Sequence, residues 1–148
     1  MKCYLAYGSN LSVEQMEWRC PGAAYIGYGF LENQRLLFRR GFLTVEPEEG
    51  SRVPVLVWQV NSSNEKALDR YEGFPNFYRK VNTKIEVFSL DDNSSLGQME
   101  AFVYIMNDGF PFQAPTLRYW DICMEGYLRF GFDAEILNKA LEDSIQTH

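Results

Sequence analysis

The hydrophobic period of this chain changes along its length, and that change narrows the folds open to it. Through the first sixty residues the apolar side chains come in short runs divided by turn formers. Residues 2–7, Lys-Cys-Tyr-Leu-Ala-Tyr, read as a buried strand stopped by Gly8. Segments 23–31 and 34–39 are aromatic and aliphatic with the polar pair Glu32-Asn33 between them, the pattern of two adjacent strands with a tight connection. Val53 to Val60 is a further strand, in which Pro54 implies a strand start or a sheet edge.

The period then becomes helical. Ser62-Ser-Asn-Glu65 has the form of a capping box, Ala67, Leu68 and Tyr71 follow at helical spacing, and the helix is expected to end at Gly73. An earlier capping box, Ser12 with Gln15, marks a first helix. Tyr78–Phe88 and Met99–Met106 are expected to pair as a hairpin across the polar run 89–98. Beyond Pro115 the spacing of Leu117, Trp120, Met124 and Tyr127, and of Ile136, Leu137 and Ala140 after a break at Gly131, is helical. About six short strands with interspersed helices predict an α+β domain spanning 1–148, built on a curled, mostly antiparallel sheet. Periodicity leaves open whether that sheet closes into a barrel.

Composition removes whole classes of chemistry. The only histidine is His148, the last residue, so a Ser-His-Asp or Cys-His arrangement and the His-containing zinc sites are not expected. Cys3, Cys20 and Cys123 are far apart and odd in number, which fits reduced thiols. Neither metal nor cofactor is expected. The net charge of −6 and the lack of a basic block beyond Arg39-Arg40 oppose nucleic-acid binding. No apolar stretch approaches a membrane span and no h-region follows Met1, so cytoplasmic residence is the expectation. An acid or base must then come from Asp, Glu, Lys, Tyr or Cys.

Three segments offer such groups. In Ala6-Tyr-Gly-Ser-Asn-Leu11 a strand runs into glycine, two small polar residues and a helix cap, which aims freed backbone N–H groups outward at a carboxylate or oxyanion. An ordinary strand-to-helix turn has the same composition. In Leu68-Asp-Arg-Tyr-Glu-Gly-Phe-Pro75, Glu72 stands at a helix C-terminus, where the macrodipole opposes its ionisation and favours a raised pKa. A solvated surface carboxylate is the plainer reading, and it is the one adopted for Glu65 and Asp69. In Pro115-Thr-Leu-Arg-Tyr119 a helix begins, with Tyr119 either reaching a site wall or packing beside Trp120 in the core. Phe30, Phe38, Phe42, Tyr78 and Phe102 read as core or pocket wall.

Taken in order, these segments resemble the γ-glutamylcyclotransferase family and its AIG2-like relatives. The family's Tyr-Gly-Ser-Asn opening is similar to Tyr7–Asn10, its Leu-Asp-x-x-Glu-Gly to Leu68–Gly73 and its Pro-Ser-x-x-Tyr to Pro115–Tyr119. Cys20-Pro-Gly-Ala-Ala, Val57-Trp58 and Asn61-Ser-Ser-Asn64 extend the likeness over nearly the whole chain. Thr116 departs from the family's Ser, and Arg70-Tyr71 occupy positions where members vary. The resemblance implies a β-barrel-like sheet with flanking helices and cleavage of a γ-glutamyl amide to 5-oxoproline and a free amine. It implies Glu72 as the catalytic acid and base, with Tyr7, Gly8, Ser9, Asn10, Leu11 and Tyr119 binding the substrate.

Glutathione, γ-glutamyl dipeptides and γ-glutamyl-ε-lysine all present the reacting group. A γ-glutamyl-amine or isopeptide cyclotransferase and a non-catalytic ligand-binding domain of the same fold are the alternatives. The expected partner is a small γ-glutamyl molecule, and the expected assembly a monomer or weak homodimer.

Overall fold

The computed structural model describes residues 1–146, so the expectation attached to His148 lies outside the described residues. Five strands, β1 (Lys2–Ala6), β2 (Ala24–Arg39), β3 (Phe42–Val60), β4 (Tyr78–Phe88) and β5 (Ser95–Met106), close a barrel in the order β1-β3-β2-β4-β5. All of the pairings are antiparallel except β5 against β1, where Cys3 faces Ala101 and Tyr4 faces Phe102. That one parallel pair turns the curled sheet into a closed one. The helices are α1 (Val13–Arg19), α2 (Ser62–Glu72), α3 (Leu117–Arg129) and α4 (Ala134–Gln146), with a 3₁₀ turn at Ser9–Leu11.

One expectation for the strands is corrected, and the edge expected at Pro54 is found. Segments 23–31 and 34–39 are one strand, β2, with an irregularity where Glu32 pairs Arg52 and Gln34 pairs Pro47. Asn33, at φ 58°, absorbs the shift, and its Oδ1 accepts the Gly50 N–H at 3.0 Å. The chain instead reverses at Arg40-Gly41, both at positive φ, as a two-residue hairpin requires. Pro54 lies inside β3 and pairs Phe30, two residues short of Leu56, where pairing with β1 begins. At Pro54 one side of β3 is therefore a local edge, which is how a proline is accommodated.

The barrel interior is filled by Leu5, Val53, Val55, Val57, Val87 and Val103, all essentially inaccessible to solvent. Leu36, Leu37 and Phe38 are buried in succession, so the end of β2 is covered on both faces. The Phe38 N–H donates to Ser144 Oγ of α4 at 2.8 Å, a bond that fixes the last helix across the sheet.

The capping box of α2 also differs from expectation. The cap is Asn61, whose side chain accepts the Asn64 N–H at 2.8 Å while Asn64 Oδ1 accepts the Asn61 N–H at 3.0 Å, one residue earlier than Ser62 and Glu65. Ser12 caps α1 as expected by accepting the Gln15 N–H at 3.2 Å, but Gln15 turns its own side chain to Arg19. Thr116 caps α3 in the same way through the Tyr119 N–H. Among the described residues no helix is long and apolar enough to cross a membrane.

Candidate active site

Glu72 is the last residue of α2, and the position of α2 is set by charge. Lys80 of β4 reaches Glu65 at 2.7 Å and Asp69 at 2.8 Å, Lys2 reaches Glu65 at 3.0 Å, and Tyr104 donates to Asp69 at 2.6 Å. Glu65 and Asp69 are therefore not the unattached surface carboxylates that their sequence context suggests. They tie the helix to β1, β4 and β5, and its C-terminal turn lies over one mouth of the barrel.

The loop after β1 arrives at the same mouth. Its backbone turns into the 3₁₀ helix through Leu11 N–H to Gly8 O at 3.0 Å. Asn10 is almost fully buried and wholly engaged: Nδ2 donates to Tyr4, Oδ1 accepts from Arg19, and its carbonyl accepts Trp58 Nε1 at 3.1 Å. Tyr7 donates its hydroxyl to the Tyr104 carbonyl at 2.7 Å. These bonds spend the loop's side chains on holding its shape, while the backbone N–H groups of Gly8, Ser9 and Asn10 make no bond among the described residues.

Tyr119 comes from the first turn of α3. Its hydroxyl accepts the Leu43 N–H at 3.2 Å, and Tyr78 donates to the Leu43 carbonyl at 2.7 Å, so both polar groups of one strand residue are claimed by tyrosines. A Cβ placed on Gly8 would stand 3.1 Å from the Tyr119 hydroxyl, so a side chain there would press on Tyr119. The first and third segments thus touch. Trp120 packs separately, on Phe38.

Tyr7, Gly8, Ser9, Asn10, Glu72 and Tyr119 all line one cavity of about 200 Å³. Leu11 does not line it: its side chain is fully buried against Gly126 and its N–H is already bonded, so it anchors the loop from behind. Tyr71, one of the pair at the variable positions, lines the cavity too, as do Tyr4, Phe77 and Tyr104, which no sequence motif marks, and Arg19 stands behind Tyr71. Arg19 lies 3.5 Å above the Tyr71 ring, and Tyr71 Oη is 2.7 Å from Ser9 Oγ.

The electrostatics single out one group. Burial among aromatic rings pushes the Glu72 carboxyl up from 4.5 to about 7, against a smaller opposing pull from Arg19. Desolvation by burial is the largest cause, where the sequence pointed to the helix dipole. Burial holds the phenols of Tyr4, Tyr7, Tyr78 and Tyr119 above their ordinary range, so they remain neutral hydrogen-bonding groups. The three cysteines are free, all are raised by burial, and Cys123 is pushed up to about 12. None lines the cavity. Among the described residues no three His, Cys, Asp or Glu side chains converge as a metal site would require.

The model of the family described as "Gamma-glutamyl cyclotransferase, AIG2-like" matches residues 4–125. The chain belongs to that family. Curated relatives named Gamma-glutamylcyclotransferase are 35% identical in Homo sapiens and 33% in Bos taurus, each over 81 residues. Those matches cover 47% of this chain and 43% of each relative, so the chain matches less than half the length of either. A solved structure titled "Gamma-glutamyl cyclotransferase" superposes with a TM-score of 0.76 at 25% identity, covering 94% of this chain and 85% of that one. YkqA from Bacillus subtilis shares the fold at a TM-score of 0.68 and 15% identity, covering 98% of this chain and 54% of its own. The family's curled barrel with flanking helices is the fold described above.

Proposed function

We propose that this protein cyclises the γ-glutamyl group of a small amide, releasing 5-oxoproline and a free amine, with Glu72 as the proton carrier. One observation carries the reading. The cavity that gathers all three segments contains a single carboxylate, Glu72, in surroundings that bring its pKa near neutrality.

The reaction needs such a group. The α-amine of the substrate must attack its own γ-carbonyl, yet an α-amino group, with a reference pKa of about 8, is mostly protonated at neutral pH. The Glu72 carboxylate takes that proton. A carbon–nitrogen bond then closes the five-membered ring, and the former carbonyl oxygen becomes an oxyanion. The free N–H groups of Gly8, Ser9 and Asn10 are the donors nearest to hand for that oxyanion or for the α-carboxylate. As the intermediate collapses, Glu72 passes the proton to the departing nitrogen and the old carbon–nitrogen bond breaks. Overall two protons leave the attacking nitrogen and two reach the departing one, so a carboxyl titrating near pH 7 suits both directions of transfer. No covalent intermediate is required, because ring closure within one molecule supplies a large effective molarity.

The test is release of 5-oxoproline by the purified protein from γ-glutamyl dipeptides, glutathione or γ-glutamyl-ε-lysine, with neither metal nor nucleotide added. No release from any of them would reject the reading. Tyr119→Phe removes the acceptor of the Leu43 N–H and one polar contact at the cavity wall. It is expected to raise KM roughly 3–10-fold with a smaller change in kcat. Unchanged steady-state constants would make Tyr119 a packing residue only.

A further inference from the structure

Arg19 stands in the immediate surroundings of Glu72, and the reaction proposed above gives it no part. It belongs to the last turn of α1 and is half-buried. An arginine at a helix end needs no more than the dipole and solvent. Here both the edge and the plane of the guanidinium are engaged. Nη1 donates to Asn10 Oδ1, Nη2 donates to Gln15 Oε1 at 3.2 Å, and the group lies 3.5 Å from the centre of the Tyr71 ring.

These contacts complete a circuit around the site. Asn10 follows Ser9 in the loop, Ser9 Oγ is 2.7 Å from Tyr71 Oη, and Tyr71 directly precedes Glu72 at the end of α2. The circuit therefore runs from Arg19 through Asn10 and Ser9 to Tyr71 and back to Arg19, joining α1, the loop and α2. Loss of Arg19 would break two of its links at once. Asn10 Oδ1 would become a buried acceptor without its donor, a deficit that a shift of the loop relieves. A lysine could not replace the arrangement, because it has neither a plane to stack nor a fork of donors.

The same group supplies the field at Glu72. Tyr4 of β1, Tyr7 of the loop, Tyr78 of β4, Tyr104 of β5 and Tyr119 of α3 face it, and burial holds each phenol above its ordinary range and neutral. The charged neighbours on α2 and β4 have partners of their own: Asp69 is paired to Lys80 at 2.8 Å, and Arg79 donates to the Met106 carbonyl at 2.9 Å. Arg19 has no carboxylate within ion-pair distance among the described residues, and its pull on the Glu72 carboxyl opposes that of burial.

Resting on the proposed γ-glutamyl chemistry, we infer that Arg19 is a positioning residue of the site, which fixes the Ser9-Asn10 loop and the Tyr71 wall against each other around Glu72. Its positive charge has a second consequence, because it favours the carboxylate form that accepts the first proton.

The test follows kcat and KM for 5-oxoproline release against pH, together with a carbon-13 NMR titration of the Glu72 carboxyl in the ligand-free protein, assigned by its loss in Glu72→Gln. Arg19→Lys keeps the charge and gives up the stack and the fork. It is expected to raise KM roughly 3–10-fold while the acid limb of the profile stays at its native position. Arg19→Gln keeps a hydrogen-bond donor and removes the charge. It is expected to move the acid limb and the carboxyl titration together to higher pH, so that kcat/KM falls about 2–5-fold more at pH 6 than at pH 8. A residue that only held the fold together would lower activity equally at both. Circular dichroism would establish that each variant is folded, and Arg19→Lys, the milder change, decides the positioning role by itself should Arg19→Gln unfold. Native KM in Arg19→Lys, or an unmoved carboxyl titration in folded Arg19→Gln, would overturn the assignment of Arg19 and leave the chemistry standing. Absence of 5-oxoproline from every γ-glutamyl compound with the native protein would overturn the chemistry, and the assignment with it.

Discussion

Glu72→Gln is expected to lower kcat for 5-oxoproline release about 10²–10⁴-fold while the barrel stays folded. The substitution keeps the shape of the side chain and removes only its capacity to take and return a proton. No neighbour can substitute for it, because the other titratable groups of the cavity wall are tyrosines, and burial holds Tyr4, Tyr7, Tyr78 and Tyr119 neutral across the working range. Residual turnover would come from ring closure in a correctly folded substrate and from the loop amides. Full activity in Glu72→Gln would show that no carboxylate is needed and would remove the mechanism.

The same residue predicts two pH dependences. As a base it must be ionised, so kcat/KM should rise about tenfold per pH unit on the acid side and level off near pH 7, where its carboxyl titrates. A profile flat from pH 5 to 8 would contradict this. Stability should move in the opposite direction. Because the folded pKa is raised from 4.5 to about 7, the folded state binds the proton more tightly, and the resulting stabilisation is full below about 4.5 and is lost as pH rises through 7. Glu72→Gln has no such loss. It should match the native protein near pH 4.5 and exceed it at pH 8 by about 1–3 kcal/mol, allowing for the partial exposure of the side chain. Urea denaturation of both proteins at the two pH values would check it, and an equal difference at both would mean that Glu72 is not desolvated.

The contrast between what the sequence revealed and what it hid follows from how each part is stabilised. Strands and helices that bury one face announce themselves by period, which is why β1, β4 and α2–α4 fall close to where the pattern puts them. The middle of the β2–β3 pair does not, because around Glu32-Asn33 and Pro47–Arg52 backbone ladders persist where both strands face solvent. There a bulge and a turn have the same polar composition. The actual reversal uses Arg40, a residue that turn chemistry does not favour at positive φ. For the site, Glu72 and the Tyr7–Asn10 loop were visible as local segments. Tyr104 and Tyr4 were not, because only barrel closure by the parallel β1–β5 pair brings their rings together, 5.8 Å apart. A sequence signal did exist: tyrosines inside strands that are otherwise apolar carry hydroxyls that must find partners when buried, and here they find Asn10 and Asp69. Arg19 gave no such signal, since a basic residue in the last turn of a helix already has a sufficient local reason in the dipole.

Gly126→Ala is expected to lower both stability and substrate affinity. Gly126 lies on the buried face of α3, and a Cβ there would stand 2.5 Å from Leu11 Cβ and 3.2 Å from its Cδ1. The first distance is far inside van der Waals contact, it is to the Cβ, which no rotamer change moves, and Leu11 is fully buried. Either α3 lifts or the 3₁₀ turn yields. Overpacking of this kind costs about 2–3 kcal/mol, roughly 5–10 °C in Tm for a chain of this size. The functional effect follows from connectivity: Leu11 N–H is bonded to Gly8 O, and Gly8 lies against the Tyr119 hydroxyl, so displacing Leu11 moves the loop amides and displacing α3 moves Tyr119. KM should rise with either movement. Because the strain belongs to one pair, shortening the partner should relieve it. Gly126→Ala combined with Leu11→Gly, which removes the clashing Cβ, should lose less stability than the sum of the two single changes, a coupling that a double-mutant cycle in urea measures directly. Simple additivity, or a Gly126→Ala variant with native Tm, would show that α3 is not seated against Leu11, and the approach of the helix to the loop would no longer explain how the three segments come to share one cavity.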